Sequence, residues 1–307
     1  MTNAKSSSDI DDVRPLVVVI DSNNIIHRAH HALSRSGLSR GDGQPVWAMH
    51  GAATTIAKVI DRTQPQALVV AVDAPGGCAY RRSVHPAYKA NRGAPAGELL
   101  PQLAEFPMLL HTAGLSVGMY SGWEADDIMA SVAYWAEMNN WRCQVITSDR
   151  DAYQLLSESV TVRKPDLEPF NMQDLLVKHG VTPRQYLELA AMRGEPGDNI
   201  DGVPGVGEKT AAKLLQAAGS IEEILRNPEK WHSVSPRGVD AVLQHREIVT
   251  RNLKVAELRK DLPVDLFVKR GHLPVSSADL ADAFNRAGLP AAARTLADAN
   301  DRLARPF

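Results

Sequence analysis

Three short apolar runs recur along the first half of the chain. They cover residues 15–21 (PLVVVID), 67–73 (ALVVAVD) and 143–149 (CQVITSD), and each contains β-branched apolar residues. Apolar runs without polar alternation are typical of strands that are buried on both faces of a parallel sheet. The pattern therefore predicts three central strands.

Helical spacing of apolar residues separates these runs. It covers residues 48–63 and 98–114, and a third helix is predicted after Trp123. Strands that alternate with helices predict an α/β domain with right-handed crossovers. From about residue 181 onward strand-like runs become scarce, and the pattern predicts short helices instead.

Each of the three apolar runs ends in an aspartate, namely Asp21, Asp73 and Asp149, and Asp151 follows two residues later. A single Asp at a strand end is an ordinary turn or capping residue. An Asp at the end of all three predicted strands indicates a binding site. The carboxyl ends of parallel strands meet at one edge of the sheet, and ligands of open α/β sheets bind there. We expect these carboxylates to lie close together.

The stretch GWEADDIMASVA at residues 122–133 adds Glu124, Asp126 and Asp127 at the start of the third helix. Ser121 and Glu124 also fit a capping box, and acids in a first turn complement the helix dipole. That alternative does not account for two further adjacent carboxylates, which repel each other. The helix precedes the strand at 143–149, so its N-terminus is predicted at the same acidic edge.

Seven carboxylates in one place require cations, since several would otherwise be protonated at neutral pH. Ligand sets made only of oxygen suit Mg²⁺ and Mn²⁺. Two such ions about 4 Å apart can hydrolyse phosphodiesters, one activating a water and the other stabilising the leaving oxygen. The acids therefore favour metal-dependent phosphodiester chemistry.

The second half contains a glycine-rich turn that opens a helix, GVPGVGEKTAAKLL at residues 202–215. This pattern is typical of a helix–hairpin–helix, whose turn amides contact DNA phosphates without reading sequence. A plain glycine-rich connector is the alternative. The candidate DNA contacts of the turn are Gly205, Val206, Gly207, Lys209 and Thr210. Glu195 and Asp198 stand directly ahead of it and are further candidate metal ligands.

A basic stretch, YRRSVHPAYKANRGAP at residues 80–95, follows Asp73 and is predicted to overhang the acidic edge. Aromatic residues among cations suit single strands and frayed ends; a solvated basic loop is the alternative. The candidate DNA contacts here are Arg81, Arg82, Tyr88, Lys89 and Arg92.

Composition adds little and excludes some classes. The 307 residues are 44% hydrophobic and carry 34 basic and 36 acidic residues, which is ordinary for a globular protein. Two cysteines, Cys78 and Cys143, rule out a disulfide framework and suit a reducing compartment. The polar first 13 residues are expected to be a disordered tail. No signal peptide or membrane-length apolar stretch is present, so a cytoplasmic location, with the nucleoid or in a host, is expected.

Together the motifs resemble the 5′-3′ exonuclease and flap endonuclease family, which includes the 5′-nuclease domain of bacterial DNA polymerase I and free-standing phage and bacterial enzymes. GWEADDIMASVA, ITSDRDAYQLLS and GDNIDGVPGVGEKTAAKLL carry the resemblance in the family's order, over about residues 14–290. It implies a PIN-like, mainly parallel sheet flanked by helices, followed by an α-helical helix-three-turn-helix domain. The expected divisions are a tail at 1–13, a catalytic domain at 14–180, a DNA-binding domain at 181–290 and a C-terminal end at 291–307. No polymerase region follows within this sequence, so a free-standing enzyme is expected.

The resemblance also implies roles for individual residues. Lys89 and Arg92 match a basic gateway that admits the 5′ strand, and Arg28 matches a phosphate contact on the first helix. A monovalent cation, K⁺ among the candidates, is expected on backbone carbonyls near Val203 and Val206. Glu195 stands where the family more often has Asp. The implied metal ligands are Asp21, Asp73, Glu124, Asp126, Asp127, Asp149, Asp151, Glu195 and Asp198.

The function implied is that of a monomeric, structure-selective nuclease using Mg²⁺ or Mn²⁺ on DNA with 5′ flaps, nicks or single-stranded 5′ ends, and on RNA primers in RNA–DNA hybrids. A PIN-like protein that binds branched DNA without cutting it, and a ribonuclease, remain as alternatives. The full set of acids argues against a pure binder, and a ribonuclease would not need the hairpin.

Overall fold

The computed structural model describes residues 13–304, so the tail expected at residues 1–13 lies outside the described residues except for Val13. The centre is a six-stranded sheet in which five strands are parallel and the last, an edge strand, is antiparallel. Its strands are β1 (Leu16–Asp21), β2 (Ala67–Ala71), β3 (Ser116–Gly118), β4 (Arg142–Ile146), β5 (Val160–Arg163) and β6 (Pro169–Phe170).

Helices cover both faces of this sheet. Those between and beside the strands are α1 (Ser22–Leu33), α2 (Trp47–Thr63), α3 (Ala79–Val84), α4 (Leu99–Thr112), α5 (Ala125–Met138) and α6 (Met172–His179). Side chains of β1 alternate between two cores: Val17 and Val19 lie with α5, whereas Val18 and Ile20 lie with α1 and α2. This double burial is the reason that β1 is apolar from Leu16 to Ile20.

The predicted α/β architecture is confirmed, and the three apolar runs form β1, β2 and β4. The predicted helices at 48–63 and 98–114 are α2 and α4, each within two residues at either end. The short strands β3, β5 and β6 were not predicted, because two to four residues are too few to show a period.

A helical region with one small β-hairpin follows. Its elements are α7 (Pro183–Arg193), β7 (Gly194–Glu195), β8 (Ile200–Asp201), α8 (Glu208–Ala218), α9 (Ile221–Arg226), α10 (Pro228–Trp231), α11 (Pro236–Gln244), α12 (Arg246–Ala256), α13 (Asp265–Arg270), α14 (Ser277–Arg286) and α15 (Pro290–Leu303). Gly202 is required beside β8, because a Cβ there would collide with the carbonyl of Arg193.

The end of the chain returns to the sheet. The Leu68 N–H donates to the Gly271 carbonyl (2.8 Å), and the Ser116 hydroxyl donates to the Phe267 carbonyl (2.7 Å). Phe284 of α14 and Leu296 of α15 share the apolar core on the α2 side. The expected divisions at residues 180 and 290 remain predictions. No helix within residues 13–304 combines the length and the apolar character needed to cross a membrane.

The strand order is β3-β2-β1-β4-β5-β6, so the chain moves outward in one direction from β1 and then in the other. The topological switch therefore lies between β1 and β4. Ligands of open α/β sheets bind in the crevice beyond the carboxyl ends of the strands at this point. Asp21 ends β1, and Asp149 follows β4 by three residues.

Candidate metal centre and DNA-binding surfaces

A first acidic cavity of about 310 Å³ opens at the switch point. Its acids come from β1, from α5 and from the loops that follow β2 and β4. They are Asp21, Asp73, Asp126 and Asp149, and Lys89 and Arg92 line the same cavity. The strand-end acids and one acid of α5 are thus brought together as the sequence predicts, from positions up to 128 residues apart in the chain.

A second acidic cavity of about 380 Å³ adjoins the first. Asp149 lines both, and the second also contains Asp151 together with Glu195 and Asp198 from the helical region. The sheet edge and the segment ahead of the hairpin therefore contribute acids to one continuous site. Asn24 and Asp149 line both cavities.

Several of these carboxylates are held in surroundings that oppose their charge. Burial raises the pKa of Asp21 to about 6 and that of Asp151 to about 7, and repulsion from Asp149 adds to both. Burial and the same neighbour raise the pKa of Asp126 well above its usual range. Positive charge in the cavities would reverse these shifts. Clustered carboxylate oxygens of this kind fit hard divalent cations such as Mg²⁺ and Mn²⁺.

In residues 13–304 no three acids, histidines or cysteines are already drawn together as a set of metal ligands. Several acids are bound by cations of the chain instead. Lys89 Nζ lies 2.5 Å from Glu124 Oε1, and Arg92 Nη2 lies 2.5 Å from Asp198 Oδ1. The Arg193 guanidinium pairs with Glu195. Divalent ions at Glu124, Glu195 and Asp198 would have to replace these partners.

Asp127 does not fit the predicted role of metal ligand, because its carboxylate is fully buried and lines neither cavity. Arg81 donates to both oxygens, at 2.7 and 2.9 Å, and the Arg259 N–H donates at 3.0 Å. Asp127 also accepts the N–H of Glu124, at 3.2 Å. Glu124 is accordingly the N-cap of α5, so the alternative capping box from Ser121 does not form, and Glu124 and Asp127 make the box instead.

Arg81 and Tyr88 were expected among the DNA contacts, and the structure buries both, at 3% and 4% exposure. Arg81 binds Glu124 (2.8 Å) besides Asp127, and its Nε donates to the Val255 carbonyl (3.0 Å). These contacts tie α3 to α5 and α12. The Tyr88 hydroxyl donates to Glu124 Oε2 (3.2 Å), and because the residue is buried its ring is not available for stacking on a base.

Glu124 itself is 2% exposed and accepts hydrogen bonds from Arg81, Lys89, Tyr88 and Cys78. Burial opposes its ionisation, but Lys89 and Arg81 outweigh burial and lower its pKa. Burial likewise opposes the charge on Lys89, whose pKa is nevertheless raised by Glu124 and Asp198. The role of Glu124 as a metal ligand stays a prediction that requires Lys89 to move.

The glycine-rich turn, called the hairpin in what concerns DNA and distinct from the β7–β8 pair, links β8 to α8. Gly205 adopts a positive φ of 79°, and Gly207 is the N-cap of α8. The side chains of Val203 and Val206 are buried, at 3% each, so only their backbone can face a ligand. The Val206 N–H donates to the Val203 carbonyl (3.0 Å), and the expected monovalent cation at these residues stays a prediction.

Of the predicted phosphate and DNA contacts, Arg28, Arg82, Arg92, Gly205, Gly207 and Lys209 are exposed. Lys209 and Arg28 are exposed and have no ion pair among the described residues, and Arg82 is exposed with one weak bond to the Tyr88 carbonyl (3.4 Å). Thr210 is half-buried near Gly238. Arg28 does not line either acidic cavity.

Sequence reasoning missed the polar residues that follow β1. Asn23 donates to Asp73 Oδ2 (2.5 Å), and the Asn24 N–H donates to Asp21 Oδ1 (2.9 Å). His27 lines the first cavity, where burial and then the positive charge of His31 lower its pKa. A usable signal was present in the run DSNNIIH, since it puts four polar residues directly after a buried strand at the predicted acidic edge.

Sequence reasoning also missed a basic groove of about 320 Å³ between α3 and α12. Arg246, Thr250 and Lys254 lie at intervals of four residues and therefore share one face of α12. With Arg251, the groove is lined by three cations and by one acid, Glu247. Arg246 and Lys254 have no ion pair within residues 13–304. A face of this kind suits a row of phosphates.

Solved structures of low sequence identity share this fold. A structure of T5 5′-exonuclease with bound zinc has a TM-score of 0.64 and 20% identity, and the match covers 94% of this chain and all of that one. A pseudo-enzyme-product complex of a bacteriophage T5 D15 flap endonuclease variant with DNA and metal ions has a TM-score of 0.63, 20% identity and the same coverage.

Curated relatives are more similar in sequence. DNA polymerase I of Mycobacterium leprae is 36% identical over 259 residues, which is 83% of this chain and 28% of the relative. The thermostable DNA polymerase I of Thermus thermophilus is 35% identical over 260 residues, 84% of this chain and 30% of the relative. The chain thus spans less than a third of the length of these relatives.

Two family models match adjoining parts of the chain. The 5′-3′ exonuclease N-terminal resolvase-like domain matches residues 16–182, and the 5′-3′ exonuclease C-terminal SAM fold matches residues 181–279. The region matched by the first model contains the acids that follow the strands, the acids at the start of α5 and the basic stretch. The region matched by the second contains Glu195, Asp198 and the glycine-rich turn. The chain therefore belongs to the 5′-3′ exonuclease family.

Proposed function

We propose that this member of the family is a structure-selective 5′-3′ exonuclease and flap endonuclease that hydrolyses phosphodiester bonds with two divalent cations, Mg²⁺ or Mn²⁺. Its substrates are DNA with 5′ flaps, nicks or single-stranded 5′ ends and RNA primers paired with DNA, in replication and repair. The enzyme acts as a monomer in the cytoplasm, with K⁺ at the hairpin. The observation that carries this proposal is the pair of adjoining acidic cavities that share Asp149 beneath Lys89 and Arg92.

Each part of the chain has a task in this reaction. Asp21, Asp126 and Asp149 would hold cations in the first cavity, and Asp151 and Asp198 would hold them in the second. When bound, the ions supply the charge that favours attack by water and departure of the leaving oxygen. Lys89 and Arg92 bind the scissile phosphate and orient it, because both cations line the first cavity.

The substrate is tested with a panel of end-labelled DNAs: a 5′ flap, a nick, a gap, blunt duplex, single strand and an RNA–DNA hybrid of equal length. We expect cleavage near the junction of the 5′ flap, with blunt duplex and plain single strand cut much more slowly. Equal rates on all substrates would contradict structure selectivity. Cleavage of RNA alone would favour the ribonuclease alternative, and binding without cleavage would favour the pure binder.

Lys209→Ala should weaken duplex binding without changing sequence preference. An exposed, unpaired Lys in the first turn of α8 suits a phosphate contact, and each such contact releases about one counterion. The measurement is the slope of log K against log salt concentration, which we expect to fall by about one unit. Lys178→Ala on α6 is the matched control. An unchanged slope in Lys209→Ala would show that the hairpin does not face DNA.

Glu195 should be the least critical acid of the site, and Glu195→Asp should be tolerated. Its longer side chain loses more entropy on ordering than Asp, and it is already paired with Arg193. Glu195→Ala should raise the Mn²⁺ concentration for half-maximal rate but leave the rate at saturation within about tenfold. Asp198→Ala should impair both quantities more.

A metal titration of both variants decides this prediction, with Mn²⁺ and Mg²⁺ in parallel. Activity should be higher in Mn²⁺, which tolerates an imperfect site better than Mg²⁺ with its strict octahedral geometry. If Glu195→Ala is inactive at every Mn²⁺ concentration, Glu195 is a direct ligand and the prediction is wrong.

A further inference from the structure

The segment that carries the two gateway cations, residues 85–92 and here called the arch segment, is held by the turn at residues 196–199. The Lys89 N–H donates to the Asp198 carbonyl (2.9 Å), and Asn91 Nδ2 donates to the Pro196 carbonyl (2.9 Å). The two segments are more than a hundred residues apart in the sequence. The backbone of the arch segment is thus fixed directly to the turn that carries Asp198.

Asn199 makes two more of these contacts and lies at their centre. Its side-chain amide donates to the Ala87 carbonyl (2.7 Å), and its own carbonyl is 2.9 Å from His85 Nε2. Its N–H donates to the Pro196 carbonyl (3.1 Å), which closes the turn. One residue therefore shapes the acid-bearing turn and grips the arch segment at the same time.

Two residues of this contact region have left-handed backbones that non-glycine residues seldom adopt: Asn199 with φ 59° and Lys89 with φ 54°. Asn tolerates this conformation better than most residues, because its short side chain can bond locally. Lys has no such advantage, so Lys89 keeps it only where surrounding contacts impose it. Observed strain of this sort is concentrated at functional sites.

The arch position decides where the two cations lie. Lys89 Nζ reaches Glu124 (2.5 Å) and is 3.9 Å from Asp198, and Arg92 reaches the other oxygen of Asp198 (2.5 Å). These acids belong to the proposed metal centre. The contacts of the arch segment with the turn thus place both cations beside these acids.

We propose that Asn199 is a positioning residue that seats the arch segment on the acid-bearing turn. Through this contact Lys89 and Arg92 neutralise Glu124 and Asp198 in the metal-free protein, and they stay within reach of a phosphate when divalent ions take over the acids. The inference rests on the proposed nuclease function for its second half only. The contact between arch segment and turn is a property of the chain without metal or DNA.

The test is Asn199→Gly in the full chain. Glycine adopts a positive φ readily, so the turn keeps its shape while the amide contact to Ala87 is lost. The first readout is hydrogen exchange of the Lys89 amide without metal or DNA, which we expect to become at least about tenfold faster. Asn140→Gly is the matched control, since Asn140 is also left-handed, with φ 58°, and lies just beyond the end of α5.

The second readout separates positioning from general damage. In Asn199→Gly the single-turnover rate on a 5′-flap substrate should fall about tenfold, while the Kd for that substrate changes less than about twofold. Asn140→Gly should match the wild-type chain in both. Unchanged exchange at Lys89, or a Kd that rises as much as the rate falls, would overturn the proposal.

The two readouts keep this proposal distinct from the proposed function. If the wild-type chain cleaves no substrate, the nuclease function fails, and hydrogen exchange still decides whether Asn199 holds the arch segment. If the wild-type chain cleaves and exchange at Lys89 is unaffected in Asn199→Gly, the nuclease function stands and the positioning role fails.

Discussion

Asp149→Asn and Asp126→Asn should each abolish cleavage while DNA binding survives. Asp149 lines both acidic cavities, and Asp126 faces the first from the N-terminus of α5. The neutral amide removes the charge that would hold divalent ions there, so we expect the single-turnover rate to fall at least about a hundredfold. Because negative charge is removed from the approach of a polyanion, the affinity for DNA should stay equal or rise.

Asp201→Asn is the matched control for these variants. Asp201 is exposed at the end of β8, close to the hairpin, and it lines neither acidic cavity. Its rate should stay within about twofold of wild type. If both Asp149→Asn and Asp126→Asn kept more than a few per cent of the wild-type rate at saturating metal, the assignment of these acids to metal binding would be wrong.

Lys89→Ala should slow the bound complex much more than it weakens binding. Lys89 lines the first cavity, where the proposed reaction would develop charge on the phosphate, whereas the hairpin and the basic groove would carry most of the binding. We expect the single-turnover rate to fall about a hundredfold, the usual effect of losing one group that stabilises a transition-state charge. The Kd for a flap substrate should change only a few-fold.

The pairing of Lys89 with Glu124 gives this variant a second consequence. Without Lys89, Glu124 loses a cation that competes with divalent ions, so the affinity for Mn²⁺ in the absence of DNA should rise, as measured by calorimetry. Arg82→Ala removes an exposed cation of the same stretch and should leave Mn²⁺ affinity unchanged. If Lys89→Ala weakens DNA binding as much as it slows cleavage, Lys89 is an ordinary phosphate contact.

The sequence was sufficient to predict the apolar central strands and the acids that follow them. β1 and β2 are apolar up to the sheet edge, β4 is apolar except for Arg142 and Gln144, and each strand packs on both faces and leads to an Asp at the same edge. Parallel pairing then brings those acids together whatever lies between them in the chain. Asp198 joins these acids only because the turn ahead of the hairpin packs against the same sheet edge.

The sequence was insufficient where neighbours in the chain have opposite environments. Arg81 is buried between Asp127 and the Val255 carbonyl, whereas Arg82 is exposed, and nothing in the run YRRSVH distinguishes them. Asp126 and Asp127 differ in the same way, because successive positions on a helix point about 100° apart and only one of them faces the cavity. Such assignments depend on tertiary partners that local patterns do not encode.

The central claim is that the acids at the sheet edge hold divalent cations that cut DNA at a 5′ junction. The most direct measurement is a single-turnover reaction on an end-labelled 5′-flap duplex with protein stripped of metal by a chelator, before and after Mn²⁺ is added back. We predict no product before addition and cleavage near the flap junction after it, with no restoration in Asp149→Asn. Cleavage at full rate in the chelator, or equal cleavage by Asp149→Asn once Mn²⁺ is restored, would contradict the claim.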